Sequence, residues 1–234
     1  MNRDSPKISI IIPVLNEENH IGKLITYLKQ NSNANNILEI IVADGGSTDR
    51  TLKIAKSKGA IIVHSKKGRA KQMNLAAKFA QGDYLYFLHA DTFPPKNFDQ
   101  HIIMAMSTNN KAGCFQMRFD STNWVLRFFA WFSRYNHKLC RGGDQSLFIN
   151  RELFQTTNGF NEEYMVFEDN EFIGRLYNAT NFKILPQRVE TSARKYRKKG
   201  VVRLQYHFGI IHLKNYLGAG PDKLYDYYKR KIAL

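Results

Sequence analysis

The chain has 234 residues, of which 43% are hydrophobic and 24% are charged, values that are typical of globular proteins and argue against disorder. Its 35 Lys and Arg against 20 Asp and Glu give a net charge of +15, which indicates an anionic partner: nucleic acid, a membrane surface or a phosphorylated substrate. The length suits one α/β domain of ordinary size, or two small ones.

Two cysteines, Cys114 and Cys140, are too few for a disulfide-rich secreted protein, so we expect two reduced, buried thiols. The amino-terminal region has no apolar core of signal-peptide length, because Ser9 and Pro13 interrupt residues 8–14. No stretch approaches the ~20 uncharged apolar residues of a membrane-spanning helix. These features predict a cytoplasmic protein.

Strands and helices alternate four times along the first half of the chain. A β-branched strand over residues 8–14 precedes a helix with an apolar face, and further strands are predicted at 38–43, 60–64 and 84–88. The run at 84–88 is apolar without alternation, which favours a strand buried on both faces. This order predicts a parallel sheet covered by helices.

Acidic residues follow two of these strands. Asp44 ends the second strand, and His89 and Asp91 come directly after the fourth. Ligands of open α/β sheets bind beyond the carboxyl ends of the strands. An Asp close to a His suits a divalent cation, which in turn suits a phosphorylated substrate. The alternative is that each Asp only caps the next helix. The strand ends alone do not decide between a cation site and a helix cap.

The second half has a different pattern. Residues 114–119 alternate as a strand with one wet face, and residues 121–140 predict a helix that is apolar nearly all round. We expect that helix in the core, or else at an interface. From Pro186 to the end there are 12 Lys and Arg against 3 Asp and Glu, which predicts a basic amphipathic helical tail over 191–234.

Four motifs occur in a fixed order: Ile-Ile-Pro-Val-Leu-Asn-Glu-Glu (11–18), Ala-Asp-Gly-Gly-Ser-Thr-Asp (43–49), Gly-Asp-Tyr-Leu-Tyr-Phe-Leu-His-Ala-Asp (82–91) and Glu-Asp (168–169). Together they resemble the family-2 nucleotide-sugar glycosyltransferases. Residues 68–74 and 142–145 are similar to a small bacterial subgroup whose metal motif reads His-Ala-Asp. The resemblance implies an α/β GT-A fold, with a Rossmann-like, mostly parallel sheet flanked by helices.

The resemblance also implies a division of the chain and a role for each site residue. One catalytic domain would span 1–190, with a nucleotide-sugar and metal half (1–110) and an acceptor half (111–190), before the tail (191–234). Asp91 and His89 would hold Mn²⁺ or Mg²⁺. Asp169, beside Glu168, would be the general base, and Asp144 with Gln145 would line the acceptor side. The residues expected around the nucleotide-sugar are Pro13, Glu17, Asp44, Gly45, Lys67, Arg69 and Ala90.

The implied reaction is an inverting, metal-dependent transfer of one sugar from a nucleotide-sugar, by preference a UDP-sugar, to an acceptor hydroxyl. Gly45 replaces the second Asp of the usual pair, and His89 replaces the first Asp of the metal motif. Because a neutral imidazole is a poor Mg²⁺ ligand and a fair Mn²⁺ ligand, His89 could equally be a hydrogen-bonding residue. A catalytically silent nucleotide-sugar-binding relative remains an alternative, as does a basic nucleic-acid-binding protein.

The processive-synthase signature is missing, which favours transfer of a single sugar. The basic tail predicts peripheral contact with an anionic membrane, on the inner face of the cell membrane, and hence a lipid or other hydrophobic acceptor.

Overall fold

A computed structural model describes residues 5–233. The strands are β1 (Ile8–Val14), β2 (Ile37–Asp44), β3 (Ile61–His64), β4 (Tyr84–Phe87), β5 (Thr92–Phe93), β6 (Ala112–Phe119), β7 (Leu147–Asn150) and β8 (Phe182–Thr191). The helices are α1 (Ile21–Gln30), α2 (Thr51–Ser57), α3 (Arg69–Phe79), α4 (Phe98–Met106), α5 (Trp124–Trp131), α6 (Arg151–Thr156), α7 (Glu168–Ala179), α8 (Arg194–Lys199), α9 (Val201–Tyr216) and α10 (Pro221–Tyr228).

The eight strands form one sheet in the order β3-β2-β1-β4-β7-β6-β8-β5. The first four in this order are mutually parallel, whereas β7 runs antiparallel to both of its neighbours. The pair β6 and β8 is parallel again, and β5 closes the edge antiparallel to β8. The predicted α/β class, with a mostly parallel sheet flanked by helices, is confirmed.

Helices cover both faces of the sheet, which explains the apolar strands without alternation. In β1, Ile8, Ile10 and Ile12 pack in the layer that contains α1 and α4, while Ile11 packs in the layer of α3, α6 and α7. All four side chains are fully buried. Burial of an Ile side chain contributes about 1.5–3 kcal/mol, so β1 is a stable base for the loop that follows it.

Strand β6 departs from the expected alternation. Its first half, from Ala112 to Phe115, is buried on both faces, because β6 lies between β7 and β8 and beneath helices on either side. Only from Gln116 onward do side chains reach the surface. The prediction of one wet face therefore holds for the second half of the strand alone.

The single helix expected over 121–140 is wrong. Helix α5 ends at Trp131 and is followed by two short 3₁₀ turns, Phe132–Arg134 and Lys138–Cys140. The buried Arg141 donates from Nη2 to the carbonyls of Ser133 (2.7 Å) and Tyr135 (2.6 Å), which a continued helix would use for its own hydrogen bonds.

Helix α5 is not a core helix, which was one of the two expectations for this segment; the other, a helix at an interface, stays a prediction. Only Leu126 and Ala130 are buried, whereas most of its aromatic side chains are exposed. Its buried side packs against the carboxyl-terminal helices, in a cluster formed by Leu126, Ala193, Tyr196, Leu204, Ile211, Leu224 and Ile232. Within residues 5–233, every helix is too short or too polar to cross a membrane.

Candidate active site

The carboxyl ends of β1, β2 and β4 meet at one edge of the sheet, as parallel neighbours must. The segment after β1 leads into Glu17, Asp44 is the last residue of β2, and His89 and Asp91 follow β4. The Leu88 N–H donates to the Ile11 carbonyl (3.0 Å), so the turn that carries the His-Ala-Asp motif is fixed against β1.

Asp44 is buried, with an exposed fraction of 2%, and organises the loop that follows β2. Its carboxylate accepts hydrogen bonds from the backbone N–H groups of Gly46 (3.1 Å) and Ser47 (2.9 Å). His64 Nδ1 lies 3.6 Å from its Oδ2. Each carboxylate oxygen has two lone pairs, so Asp44 can still accept a bond from a ligand.

The side chain of Gln72, in α3, holds the carboxyl ends of β1 and β2 together. Its Nε2 donates to the carbonyls of Val14 (2.8 Å) and Ala43 (2.7 Å). A Cβ at Gly45 would lie only 3.0 Å from the Gln72 amide, so the glycine lets this side chain approach. Pro13 is buried in the same corner.

Arg194, at the start of α8, connects two acidic residues of the site. Its guanidinium donates to both carboxylate oxygens of Glu17, at 2.8 and 2.5 Å, and its Nε lies 3.0 Å from Asp91 Oδ2. The hydrogen bond with Glu17 raises the pKa of Arg194 against the opposing effect of burial, and Asp91 adds to the rise. Bidentate contacts of this kind are among the stronger ion pairs of proteins.

Sequence reasoning missed Arg194 as a site residue, because it is the first of a basic run that was assigned to a membrane-binding tail. Nothing in that run distinguishes it from Lys195 or Arg197. Its position follows from tertiary structure alone: the Asp120 carboxylate accepts from the Ala193 N–H (2.6 Å) and pairs with Arg197 (3.0 Å), which fixes the start of α8.

His89 lies between two carboxylates from the second half of the chain. Its Nδ1 is 3.7 Å from Asp144 Oδ1, and its Nε2 is 3.9 Å from Asp169 Oδ2. Burial and Arg69 lower the pKa of His89, but the hydrogen bond and charge of Asp144 and the charge of Asp169 outweigh them, so the net shift is upward. Three of the predicted site residues therefore lie together.

Glu168 and Asp169 begin α7 but have different surroundings. Glu168 is 2% exposed, and its Oε1 lies 3.5 Å from Arg69 Nη1 without a hydrogen bond from any described residue. Burial and the neighbouring Asp169 raise the pKa of Glu168 to about 7, although Arg69 opposes the shift. Burial also raises the pKa of Asp169, against the charges of His89 and Arg69.

Asp144 and Gln145 are adjacent but differ in orientation. Asp144 is half exposed beside His89. Gln145 is buried, and its amide bonds Arg141 Nη1 (2.6 Å) and the Cys140 carbonyl (2.6 Å). Gln145 thus supports the loop from within, and acceptor contact stays a prediction for Asp144. Lys67 is exposed at the entrance of α3, and Ala90 is buried beside Asp91.

The candidate metal position depends on a single carboxylate. Within residues 5–233, no three His, Cys, Asp or Glu side chains cluster closely enough to hold a metal ion by themselves. Asp91 still fits a divalent cation, because Mg²⁺-type sites often combine one or two carboxylates with substrate phosphates and water. A cationic group already lies against this carboxylate, in the form of Arg194.

A family model described as glycosyl transferase family 2 matches residues 9–170. The chain belongs to this family. The family expected from the four motifs is confirmed, and with it, at the level of the family, the prediction of a glycosyltransferase enzyme.

Among the curated relatives of this family-2 chain is the probable glycosyltransferase YdaM of Bacillus subtilis, 25% identical over 201 residues, which cover 75% of this chain and 48% of YdaM. The poly(ribitol-phosphate) beta-N-acetylglucosaminyltransferase TarS of Staphylococcus aureus is 27% identical over 135 residues, or 50% of this chain and 24% of TarS. The matched regions therefore span a quarter to a half of these two relatives.

Solved structures show the same fold. S. aureus TarS 1-349 in complex with UDP-GlcNAc has a TM-score of 0.65 at 22% identity, covering 80% of this chain and 58% of that one. The mannosyltransferase PcManGT of Pyrobaculum calidifontis, in complex with GDP-Man and Mn²⁺, has a TM-score of 0.71 at 17% identity. The match covers 95% of this chain and 69% of that one. The predicted GT-A fold is confirmed.

Proposed function

We propose that this family-2 chain transfers one sugar from a nucleotide-sugar, a UDP-sugar by preference, to an acceptor hydroxyl with inversion at the anomeric carbon. The observation that carries the proposal is the approach of Asp169 to within 3.9 Å of His89, two residues before Asp91. A candidate base and a candidate metal ligand, far apart in sequence, are thus close neighbours in space.

The donor nucleoside would bind at the carboxyl ends of β1 and β2. Asp44 would accept a hydrogen bond from the base N–H, with Pro13, Glu17 and Gly45 around the same nucleoside. The burial of Asp44 and its fixed turn support this role, since a buried acceptor in a rigid loop is preorganised. Structures with similar folds hold UDP-GlcNAc or GDP-Man, which supports a nucleotide-sugar donor.

The diphosphate would lie between Asp91 and the entrance of α3. Asp91 would hold Mn²⁺ or Mg²⁺, which supplies positive charge for the departing nucleoside diphosphate. Lys67 and Arg69 would add fixed positive charge from the loop, and Ala90 would border the donor. Charge placed in advance where a leaving group becomes negative is the larger part of catalysis in such sites.

Asp169 would act as the general base. Its Oδ2 would take the proton from the acceptor hydroxyl as that oxygen attacks the anomeric carbon from the face opposite the diphosphate. A raised pKa suits a carboxylate that must accept a proton near neutral pH. One base and one displacement imply inversion, without a glycosyl-enzyme intermediate. Asp144, half exposed on the other side of His89, would orient the acceptor.

The domain division follows from these roles. Residues 1–110 would supply the donor contacts and 111–190 the acceptor contacts. Residues 191–234 would not be a separate appendage, because Arg194 reaches Glu17 and Asp91.

Two variants test the chemistry. Asp91→Ala should weaken UDP binding in the presence of Mn²⁺ by at least tenfold, whereas Asp169→Asn should retain UDP binding and lose roughly 10²–10⁴-fold in turnover, because an amide cannot take a proton. Isothermal titration with UDP and a donor screen with product analysis measure the two effects. Asp222→Asn, an exposed acid of α10, is the matched control. Full metal-dependent binding by Asp91→Ala, or full turnover by Asp169→Asn, would refute the assignments.

A silent nucleotide-sugar-binding protein is the second candidate. One observation favours it: Arg194 already neutralises Asp91, and both ring nitrogens of His89 face other carboxylates. This candidate predicts UDP-sugar binding without hydrolysis or transfer across a donor and acceptor screen. Release of free sugar or formation of a glycoside would exclude it.

A further inference from the structure

An open groove of about 730 Å³ lies between α5 and the outer surface of β6 and β8, and no step of the proposed reaction uses it. One wall is a single stripe of α5 and the turn after it: Trp124, Arg127, Phe128, Trp131 and Arg134. The spacing i, i+3, i+4, i+7 places the first four of these side chains on one face of α5, and Arg134 follows in the 3₁₀ turn. The opposite wall contributes Arg118 and Arg188.

The residues that line the groove include four arginines and no Asp or Glu. Of its four arginines, only Arg118 has an ion-pair partner among residues 5–233, with Nη2 at 2.9 Å from Glu190. Arg134 stacks on the Trp131 ring at 4.7 Å. Residues 121–140 contain three Lys or Arg and no Asp or Glu. Arginine side chains grouped in this way suit phosphate, because the guanidinium fork matches the geometry of its oxygens.

The same face is unusually apolar for a surface. Trp124 is 74% exposed, Phe128 52% and Trp131 42%. The apolar surface continues beyond the groove with Phe129, Phe132 and Leu139. Trp and Arg side chains on one helix face are typical of elements that lie in the headgroup region of a bilayer, where the rings enter the apolar layer and the cations meet lipid phosphates.

We propose that α5 docks on an anionic lipid bilayer, with lipid phosphates in the arginine groove and the aromatic side chains at the headgroup boundary. The inference goes beyond the proposed sugar transfer and takes up the membrane contact that the sequence predicts. It moves the contact from the basic tail to α5.

Nucleic acid fits this face less well. A base stacks on a free ring face, whereas the exposed rings here, apart from Trp124, already pack against one another, mostly edge to face. Phe128 and Phe132 lie 5.1 Å apart at 90°, and Trp131 and Tyr135 lie 5.0 Å apart at 70°. A second copy of the chain fits poorly too, because a symmetric contact would bring arginine grooves of like charge together.

Hydrogen bonds link the groove to the candidate active site. The Met117 N–H donates to Ser133 Oγ (3.1 Å), and Arg141 Nη2 donates to the Ser133 carbonyl (2.7 Å). The Arg141 carbonyl in turn accepts from Asn170 Nδ2 (2.6 Å), next to Asp169. Docking through α5 would therefore hold the acceptor side of the site at a fixed position relative to the bilayer surface.

The intrinsic tryptophan fluorescence of the protein reports on this face without an added label, because Trp124 and Trp131 are the only two tryptophans of the sequence. The experiment titrates the full chain with vesicles of phosphatidylcholine, with and without one third phosphatidylglycerol, and records tryptophan fluorescence. We expect a blue shift with the anionic vesicles and at least tenfold weaker partitioning into pure phosphatidylcholine. Absence of a shift with either vesicle would overturn the proposal, as would a shift produced by an RNA oligonucleotide in place of vesicles.

Charge-matched variants separate the groove from bulk charge and from the tail. Loss of one basic residue near an anionic surface weakens partitioning roughly fivefold, so Arg127→Gln with Arg134→Gln should weaken it about 30-fold. The controls Lys53→Gln with Lys56→Gln, on α2, and Lys198→Gln with Arg203→Gln, in the tail, should change it less than about threefold. Equal losses in all three pairs, or a larger loss in the tail pair, would overturn the assignment.

Two further measurements keep the result interpretable. Trp124→Ala with Phe128→Ala removes side chains that are more than half exposed, and we expect it to weaken vesicle binding at least tenfold while the unfolding midpoint falls by no more than about 4 °C. UDP binding is titrated on the same samples. If the protein binds UDP but not vesicles, only the proposed docking of α5 on a bilayer is refuted. If it binds vesicles but not UDP, the proposed donor site is refuted and the docking proposal stands.

Discussion

Replacing Arg194 by Gln should increase the affinity of the protein for Mn²⁺ in the absence of nucleotide. The guanidinium lies 3.0 Å from Asp91 and is also bound to both carboxylate oxygens of Glu17. A divalent cation at Asp91 must therefore approach a carboxylate that already has a positive partner. Removal of that partner leaves Asp91 without an ion-pair partner among the described residues, whereas Glu17 keeps the contact of its Oε2 with His20 Nδ1 (3.0 Å).

The size of the effect follows from the separation and the exposure of the pair. Two unit charges 3.0 Å apart attract each other by about 1.4 kcal/mol in bulk water and about 5.5 kcal/mol at an effective dielectric constant of 20. The side chains of Arg194 and Asp91 are 39% and 17% exposed, so solvent screens them and the lower value applies. A gain of about 1.4 kcal/mol corresponds to a Kd for Mn²⁺ roughly tenfold lower.

Electron paramagnetic resonance of free Mn²⁺ during a protein titration measures this Kd directly and needs no substrate. Arg194→Lys keeps the charge and should stay within about threefold of the parent protein. Lys198→Gln is the matched control, because it removes the same charge from an exposed position of the same helix. A Kd for Arg194→Gln that is unchanged or higher would refute the reasoning, as would an equal gain in Lys198→Gln.

Three more predictions concern the surroundings of the site. The pKa of Glu168, about 7, lies above its ordinary value of 4.5, so the folded protein holds a proton that the unfolded chain releases; this stabilisation is complete below pH ~4.5 and is lost as the pH rises through 7. Urea unfolding should therefore show the parent protein losing stability relative to Glu168→Gln between about pH 5 and 8, and a pH-independent difference would contradict this. Gln72→Leu removes one donor from each of two buried carbonyls, of which that of Val14 keeps the Gly45 N–H (3.0 Å), and should cost about 1–3 kcal/mol in urea unfolding, with the exposed Gln81→Leu as control; a loss below about 0.5 kcal/mol would argue against the role of Gln72. Burial raises the pKa of the Cys114 thiol against the charge of Arg141, so a disulfide reagent at pH 8 should modify Cys140 first and Cys114 only with denaturant; equal rates would count against the packing around Cys114.

The sequence was most informative where local pattern and burial agree. The strand predicted over residues 8–14 is β1, residue for residue, since its β-branched run is buried on both faces and a turn follows. The alternation of strands and helices identified the parallel half of the sheet, and hence the end of the sheet that carries both Asp44 and Asp91. Only the family resemblance implied roles for both Asp169 and His89, because nothing in the local sequence relates the two residues.

The sequence was least informative where the hydrogen bonds of one distant side chain determine whether a residue is buried or exposed. Gln145 and Asp144 are neighbours of similar polarity, but only the tertiary position of Arg141 turns the amide inward. The aromatic residues of 121–140 have a composition typical of a core helix, although most of them are exposed. The break after Trp131 depends on hydrogen bonds from Arg141 to carbonyls six and eight residues earlier, which no helical periodicity reveals.

The fixed start of α8 has a consequence for anyone who shortens this protein. Asp120 holds Ala193 and Arg197, and Arg194 lies beside Asp91, so truncation after β8 would remove a cation from the donor side as well as a set of helices. It would also expose Leu126, which packs against the carboxyl-terminal helices, and so leave α5 with apolar surface on both sides. A truncated protein that aggregates or binds metal differently would therefore reveal the loss of this packing, and not the removal of a dispensable anchor.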